Sequence, residues 1–193
     1  MTAALGVRVK SGWASAVLIA AGDSSPVFLH RGRLLLADPR VPKSSQPYHR
    51  GFGRLQKDDA VLEKLTAIVN HVSARSLSGF VDECLAQGHQ PAVIALVVGS
   101  TIDPERIGNE HIRAHASEAR LFREALERAA STMHLPHVTS RERDLRATVA
   151  TRSGAERART VAALGRHAGR PWGADEKLAA LAAWTALIEG RFP

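Results

Sequence analysis

Residues 5–36 constrain the fold of this chain more than any other stretch. In Leu5-Gly-Val-Arg-Val-Lys10 the apolar Val7 and Val9 alternate with Arg8 and Lys10, the period of a half-buried strand. Ser11-Gly12 is a tight-turn signal, and Trp13–Ala20 reads as a second strand. Gly22-Asp-Ser-Ser-Pro26 makes the next turn, and a third strand runs to about Leu36. Three strands joined by turns this short form an antiparallel meander, with the basic side chains of Arg8 and Lys10 at the tip of its first strand.

Downstream the pattern changes. Residues 37–57 lose all periodicity and hold Pro39, Pro42, Pro47, Gly51 and Gly53, which predicts a long basic loop. Asp58-Asp59 suit a helix start. Apolar residues from Leu62 to Leu85 then recur at helical spacing, with Ser76–Gly79 as an expected break into two helices. Ala92–Val98 is a continuous β-branched run, as in a strand buried on both faces. A helix over 110–132, a short strand at 137–140, a helix from a Ser153 cap to about 167 and a last helix over 174–189 complete the chain. The order β-β-β-α-β-α-β-α-α predicts an α/β fold: one domain over 1–193, with a five-stranded mixed sheet flanked by helices on both faces.

Composition narrows the function. A hydrophobic share of 45% supports a full core, and an aromatic share of 5% argues against an extended base-stacking surface. The net charge of +7 and a pI near 10.5 favour a polyanionic partner, although Arg-rich composition by itself also produces such values. The single Cys84 excludes an internal disulfide and a multi-cysteine metal cluster. Arg8 and Lys10 ahead of an apolar run loosely imitate an export signal, but their alternation with valine is that of a strand, so a cytoplasmic location is expected. No stretch approaches the ~20 apolar residues of a membrane span, so no membrane partner is expected.

These segments resemble the RNase H-like superfamily, in its Holliday-junction-resolvase branch. Leu5-Gly6-Val7-Arg8 looks like the family's Leu-Gly-Ile-Asp opening, and Gly12-Trp13 stand where its second strand begins. Arg120–Leu135 is similar to the family's helix before the next crossover. Ala174-Asp-Glu-Lys-Leu-Ala-Ala-Leu-Ala-Ala-Trp184 resembles its last helix, which opens Asp-x-x-Asp-Ala. The resemblance implies phosphodiester cleavage by carboxylates that hold two divalent ions, and the chain departs from it at those carboxylates. Arg8 replaces the first-strand Asp, Val93–Val98 offers no Glu, and Lys177 stands at the final Asp, leaving Asp175 and Glu176 nearby. Cations and alkyl groups cannot ligate Mg²⁺. The resemblance therefore implies a catalytically degenerate, nucleic-acid-binding member.

Three groups of residues are candidates for function. Arg8, Lys10 and Lys177 are expected to converge where the metals of the family sit, as a phosphate-binding pocket or as ion-pair partners of Asp175 and Glu176. His111, His115 and Glu118 lie at i, i+4 and i+7 of one predicted helix face. They form either a metal site or a polar surface, and with Asp175 they are the candidates for a relocated hydrolytic site. Two Arg-rich segments are candidates to grip a phosphate backbone: Arg31–Lys57, with Arg31, Arg33, Arg40, Lys43, Arg50 and Arg54, and Arg141–Arg170. The expected partner is a nucleic acid, DNA or RNA, and a homodimer is compatible with the pattern. No cofactor is expected unless the His/Glu face holds a divalent metal. Rival readings are a divergent metal-dependent nuclease or phosphoesterase, and a structural or protein-interaction domain.

Overall fold

The meander forms as three paired strands. The computed structural model describes residues 1–190 except Ser24, Phe52 and Ala150. Strand β1 (Ala3–Lys10) turns through Gly12, whose φ of +78° suits glycine, into β2 (Trp13–Ala20), and β2 pairs antiparallel with β3 (Val27–Leu35). The Pro/Gly segment is more structured than a bare loop. It makes a 3-10 turn at Pro42–Ser45 and a small hairpin of β4 (His49–Arg50) and β5 (Arg54–Leu55). Phe52, one of the aromatics of that segment, lies outside the described residues.

Helix α1 (Asp59–Ala86) is capped by Asp58, which accepts a hydrogen bond from the Val61 amide. It runs 28 residues without the expected break. Ser73, Leu77, Phe80 and Val81 are buried around Ser76–Gly79, and this packing outweighs the cost of about 1 kcal/mol for a mid-helix glycine. Strand β6 (Pro91–Val98) pairs parallel with β1. Helix α2 (Glu110–Thr132) follows, and β7 (His137–Arg141) pairs parallel with β6. The chain ends in three helices: α3 (Glu142–Val149), α4 (Arg152–Ala168) and α5 (Ala174–Ile188). Helix α3 is not apparent from the sequence, and the cap of α4 is Thr151 rather than Ser153.

The five-stranded sheet has the order β3-β2-β1-β6-β7, mixed as expected, with helices on both faces. On one face Leu5, Val7, Leu34, Leu36, Ile94 and Leu96 pack with apolar residues of α1 and α2. On the other, Ala4, Val17, Ile19, Val93 and Val97 pack with the alanines of α5 and with Leu145, Val161 and Leu164. A β-carbon on Gly6 would lie 1.8 Å from the Ala179 carbonyl oxygen, so glycine lets α5 lie directly on the central strand. Directly paired residues share a sheet face. Two rows, Arg8–Ser15–Arg33 and Lys10–Trp13–Leu35, therefore cross the α5 face at the C-terminal end of β1. No helix among the described residues is long and apolar enough to cross a membrane.

Candidate functional site

Arg8 is almost fully buried, 5% exposed, at the end of β1. One guanidinium nitrogen donates to the Val9 carbonyl at 2.9 Å and to the Val97 carbonyl at 3.3 Å, tying β1 to β6. The other donates to the Glu142 carboxylate in an ion pair, while Arg8 Nε lies 3.8 Å from Asp175 Oδ1. Lys10 Nζ reaches the same Asp175 oxygen at 3.1 Å, and Arg146 holds Glu142 from one turn along α3 at 2.8 Å. Burial opposes ionisation of Glu142. Arg146, Arg8 and Lys10 outweigh it and hold that carboxyl below the usual carboxylate range. The end of the sheet thus carries two carboxylates shared among three cations.

Sequence reasoning placed Arg8, Lys10 and Asp175 here and missed Glu142, which follows directly on β7. Lys177 does not join them. It lies two residues beyond Asp175, about 200° around the helix. There it lines a groove with Arg146, Ala158, Val161 and Leu181. Glu176 instead accepts from the Gly173 amide at 2.8 Å, capping α5.

A second cluster sits at the same end of the sheet but over the other face, on the first turns of α2. Asn109 caps this helix by accepting from the Ile112 amide at 3.1 Å, which puts His111 and His115 on adjacent turns. Their Nε2 atoms are 3.3 Å apart. The hairpin brings in a third imidazole: His49 stands with its ring centroid 4.4 Å from that of His115 and 5.3 Å from that of His111. Glu118 is fully buried beneath them, with Oε1 2.7 Å from His49 Nδ1. Burial pushes the Glu118 carboxyl up, against the opposing pull of His49. Burial, then the neighbouring rings of His49 and His111, lowers the pKa of His115, which favours its neutral ring. His111, His115 and Glu118 do share one helix face, while Asp175 belongs to the opposite side of the sheet. His49 was missed because nothing in an aperiodic loop ties residue 49 to residue 111.

The remaining basic candidates fall into two sets. On the α5 face, Arg31 donates to the carbonyls of Arg170, at 2.8 Å, and Pro171, clamping the turn before α5. The exposed Arg33 stacks 4.1 Å over the Trp13 ring. On the segment facing α1 and α2, Arg40 is paired with Asp38 at 2.8 Å. Lys43, Arg50 and Arg54 are exposed and make no ion pair among the described residues, with Arg50 and Arg54 side by side across the hairpin. The two sets flank the β1–β2 turn, where Gly12 packs against Ser45.

No family model matches the chain, and no curated protein does. Solved structures do. Thermus thermophilus RuvC in complex with Holliday junction substrate superposes with a TM-score of 0.58 at 11% identity, over 99% of this chain and 96% of that one. Thermus thermophilus RuvC in a second structure gives a TM-score of 0.50 at 14% identity, over 98% and 96%. The architecture is therefore the RNase H-like fold in the form seen in RuvC, as the sequence motifs implied.

Proposed function

We propose that this chain is a nucleic-acid-binding protein of resolvase-like fold that has lost two-metal nuclease chemistry. The observation that carries the reading is buried Arg8 at the end of β1, bonded to Glu142 and near Asp175. A pair of divalent ions does not fit there. The guanidinium occupies the space between the two carboxylates, Lys10 and Arg146 take further oxygens, and a cation at the centre repels Mg²⁺. The network is a polar tie between strands and helices, so the phosphate-binding role falls to exposed groups around it.

Binding is supported by the net charge and by the placement of the free cations. Arg33 with Trp13 on one side of the β1–β2 turn, and Lys43, Arg50 and Arg54 on the other, offer phosphate contacts without a base-reading element. The solved RuvC complex holds a Holliday junction, so four-way junctions belong among the ligands tested.

The test is binding of labelled single-stranded, duplex and four-way-junction DNA, and of RNA, across a salt series without added metal. The expected result is binding that weakens steeply with salt. In a Lys43→Glu/Arg50→Glu/Arg54→Glu variant the log–log slope should fall by about 0.7–0.9 for each phosphate no longer neutralised. No strand cleavage is expected with Mg²⁺ or Mn²⁺. Absence of binding at about 50 mM salt would overturn nucleic-acid recognition. Cleavage that disappears in Asp175→Asn would overturn the loss of catalysis.

A further inference from the structure

We propose that His49, His111 and His115 bind a borderline divalent transition metal, Zn²⁺ or a close analogue, with Glu118 fixing His49 from behind. The site is separate from the ion-pair network of Arg8, and nucleic-acid binding is not needed for it. One potential ligand atom from each of the three histidines lies within 4.8 Å of the others. In a tetrahedral zinc site with Zn–N of about 2.0–2.1 Å, ligand nitrogens are about 3.3 Å apart. The Nε2 atoms of His111 and His115 already stand 3.3 Å apart, the length of one tetrahedral edge. The third imidazole, with its ring centroid 4.4 Å from that of His115, approaches this edge by side-chain rotation.

His49 supplies the observation that points to a ligand. Its Nδ1 lies 2.7 Å from Glu118 Oε1, and donation from that nitrogen to the carboxylate leaves Nε2 as the lone-pair nitrogen. That Nε2 is buried and has no hydrogen-bond partner among the described residues, an arrangement that is unfavourable without a ligand. A carboxylate holding one ring nitrogen so that the other faces outward is the usual support of a metal-bound histidine. The fully buried Glu118 is also drawn on by the backbone amides of Tyr48 and His49, so its carboxyl is tied to the strand that carries His49 as well as to the His49 ring.

The backbone is also shaped around the cluster. Gly53 has φ +70°, which suits glycine, and a β-carbon there would stand 3.0 Å from His111 Nδ1, so glycine lets the hairpin lie close on the ring. A Lys57–Glu110 pair at 2.6 Å fixes the base of the hairpin to the start of α2. Three imidazoles favour Zn²⁺, Co²⁺, Ni²⁺ or Cu²⁺ over the hard Mg²⁺. His111 and His115 are exposed, so the fourth position opens to solvent and admits water or an anionic oxygen. The metal would tie the basic hairpin to α2 and set the direction of Arg50 and Arg54.

The test is titration of EDTA-treated, dialysed full-length protein with Zn²⁺, Co²⁺ and Mg²⁺, with no nucleic acid present. One equivalent of Zn²⁺ should bind, Co²⁺ should develop the intense visible band of four-coordinate geometry, and Mg²⁺ should not compete. His111→Ala and His115→Ala change exposed residues and should fold while abolishing uptake. Glu118→Gln should weaken affinity by about 10–100-fold. Failure to take up Zn²⁺ at about tenfold molar excess over the protein, or stoichiometric uptake unchanged in His111→Ala, would overturn the site. Neither result bears on nucleic-acid binding, which the metal-free salt series measures by itself.

Discussion

Replacing Arg8 tests whether this residue stands in for what a carboxylate and its metals would do. Arg8→Met keeps the volume of the stem and removes the charge and its donors. Breaking a buried ion pair by deleting one partner typically costs about 3–5 kcal/mol. Here the arginine side chain is 6% exposed, while Glu142 and Asp175 are 25% and 27% exposed and keep Arg146 and Lys10. Water and those cations recover part of the loss, which lowers the expectation to about 2–3 kcal/mol. For a chain of this size about 2–4 °C accompanies each kcal/mol, so thermal unfolding followed by circular dichroism should show Tm falling by about 4–12 °C. The companion variant is Arg8→Asp, which sets three carboxylates around one point. It should be less stable still without divalent ions and should gain stability from Mg²⁺. With Kd near 1 mM, 10 mM Mg²⁺ adds about 1.4 kcal/mol, or about 3–6 °C. Wild type should show no Mg²⁺-dependent shift. An Arg8→Met protein melting within about 2 °C of wild type would refute the structural role of the arginine. Equal Mg²⁺ responses in wild type and Arg8→Asp would refute the claim that the guanidinium excludes metal.

Other outcomes follow from the same geometry. Gly6→Ala drives a β-carbon into the Ala179 carbonyl and should cost at least about 3 kcal/mol, read as a lowered urea midpoint. Glu142 holds its proton less tightly in the native protein than in the unfolded chain, so its contribution to stability is present above the ordinary carboxylate pKa. It is lost as pH falls through that range toward the depressed native value. The acid-unfolding curve of Glu142→Gln should therefore be flatter below pH of about 5 than that of wild type. Cys84 is fully buried with its thiol pushed up to about 11, so it should resist a thiol reagent in the native protein and react fully once unfolded. Gly53→Ala should fold yet bind Zn²⁺ more weakly than wild type in the same titration, because the added β-carbon crowds the His111 ring and strains a positive φ.

The fold was legible because its two strongest signals are local. The meander shows as valine alternating with charge between tight turns, and β6 as an unbroken apolar run. Boundaries depended on packing that no window reveals: buried Leu77 and Phe80 carry α1 through Ser76–Gly79. Helix α3 escaped notice because it is short and mostly polar, with Leu145 its one fully buried residue. The candidate site followed the same division. The His111/His115/Glu118 face was readable because helical spacing guarantees it. Its fourth member, His49, and the Glu142 partner of Arg8 arrive from other segments, 69 and 134 residues away along the chain. Lys177 shows the converse: its match to the final Asp of the family's last helix implied a place beside Arg8, yet the helical turn sets it about 200° from Asp175.

The seat of α5 on Gly6 also governs the order in which the molecule can be built. The strand at the centre of the sheet is made before the other elements of this fold, and the helix that covers one of its faces is made after them. Until that helix emerges, Val17, Ile19, Val93 and Val97 have no lid, and a sheet assembled early presents a bare apolar wall. Folding of that half thus waits for α5 and carries the slow closure of a contact between segments far apart in sequence. A nascent chain stalled before residue 174 should be captured by chaperones, and a chain extended until α5 is free to pack should be released from them.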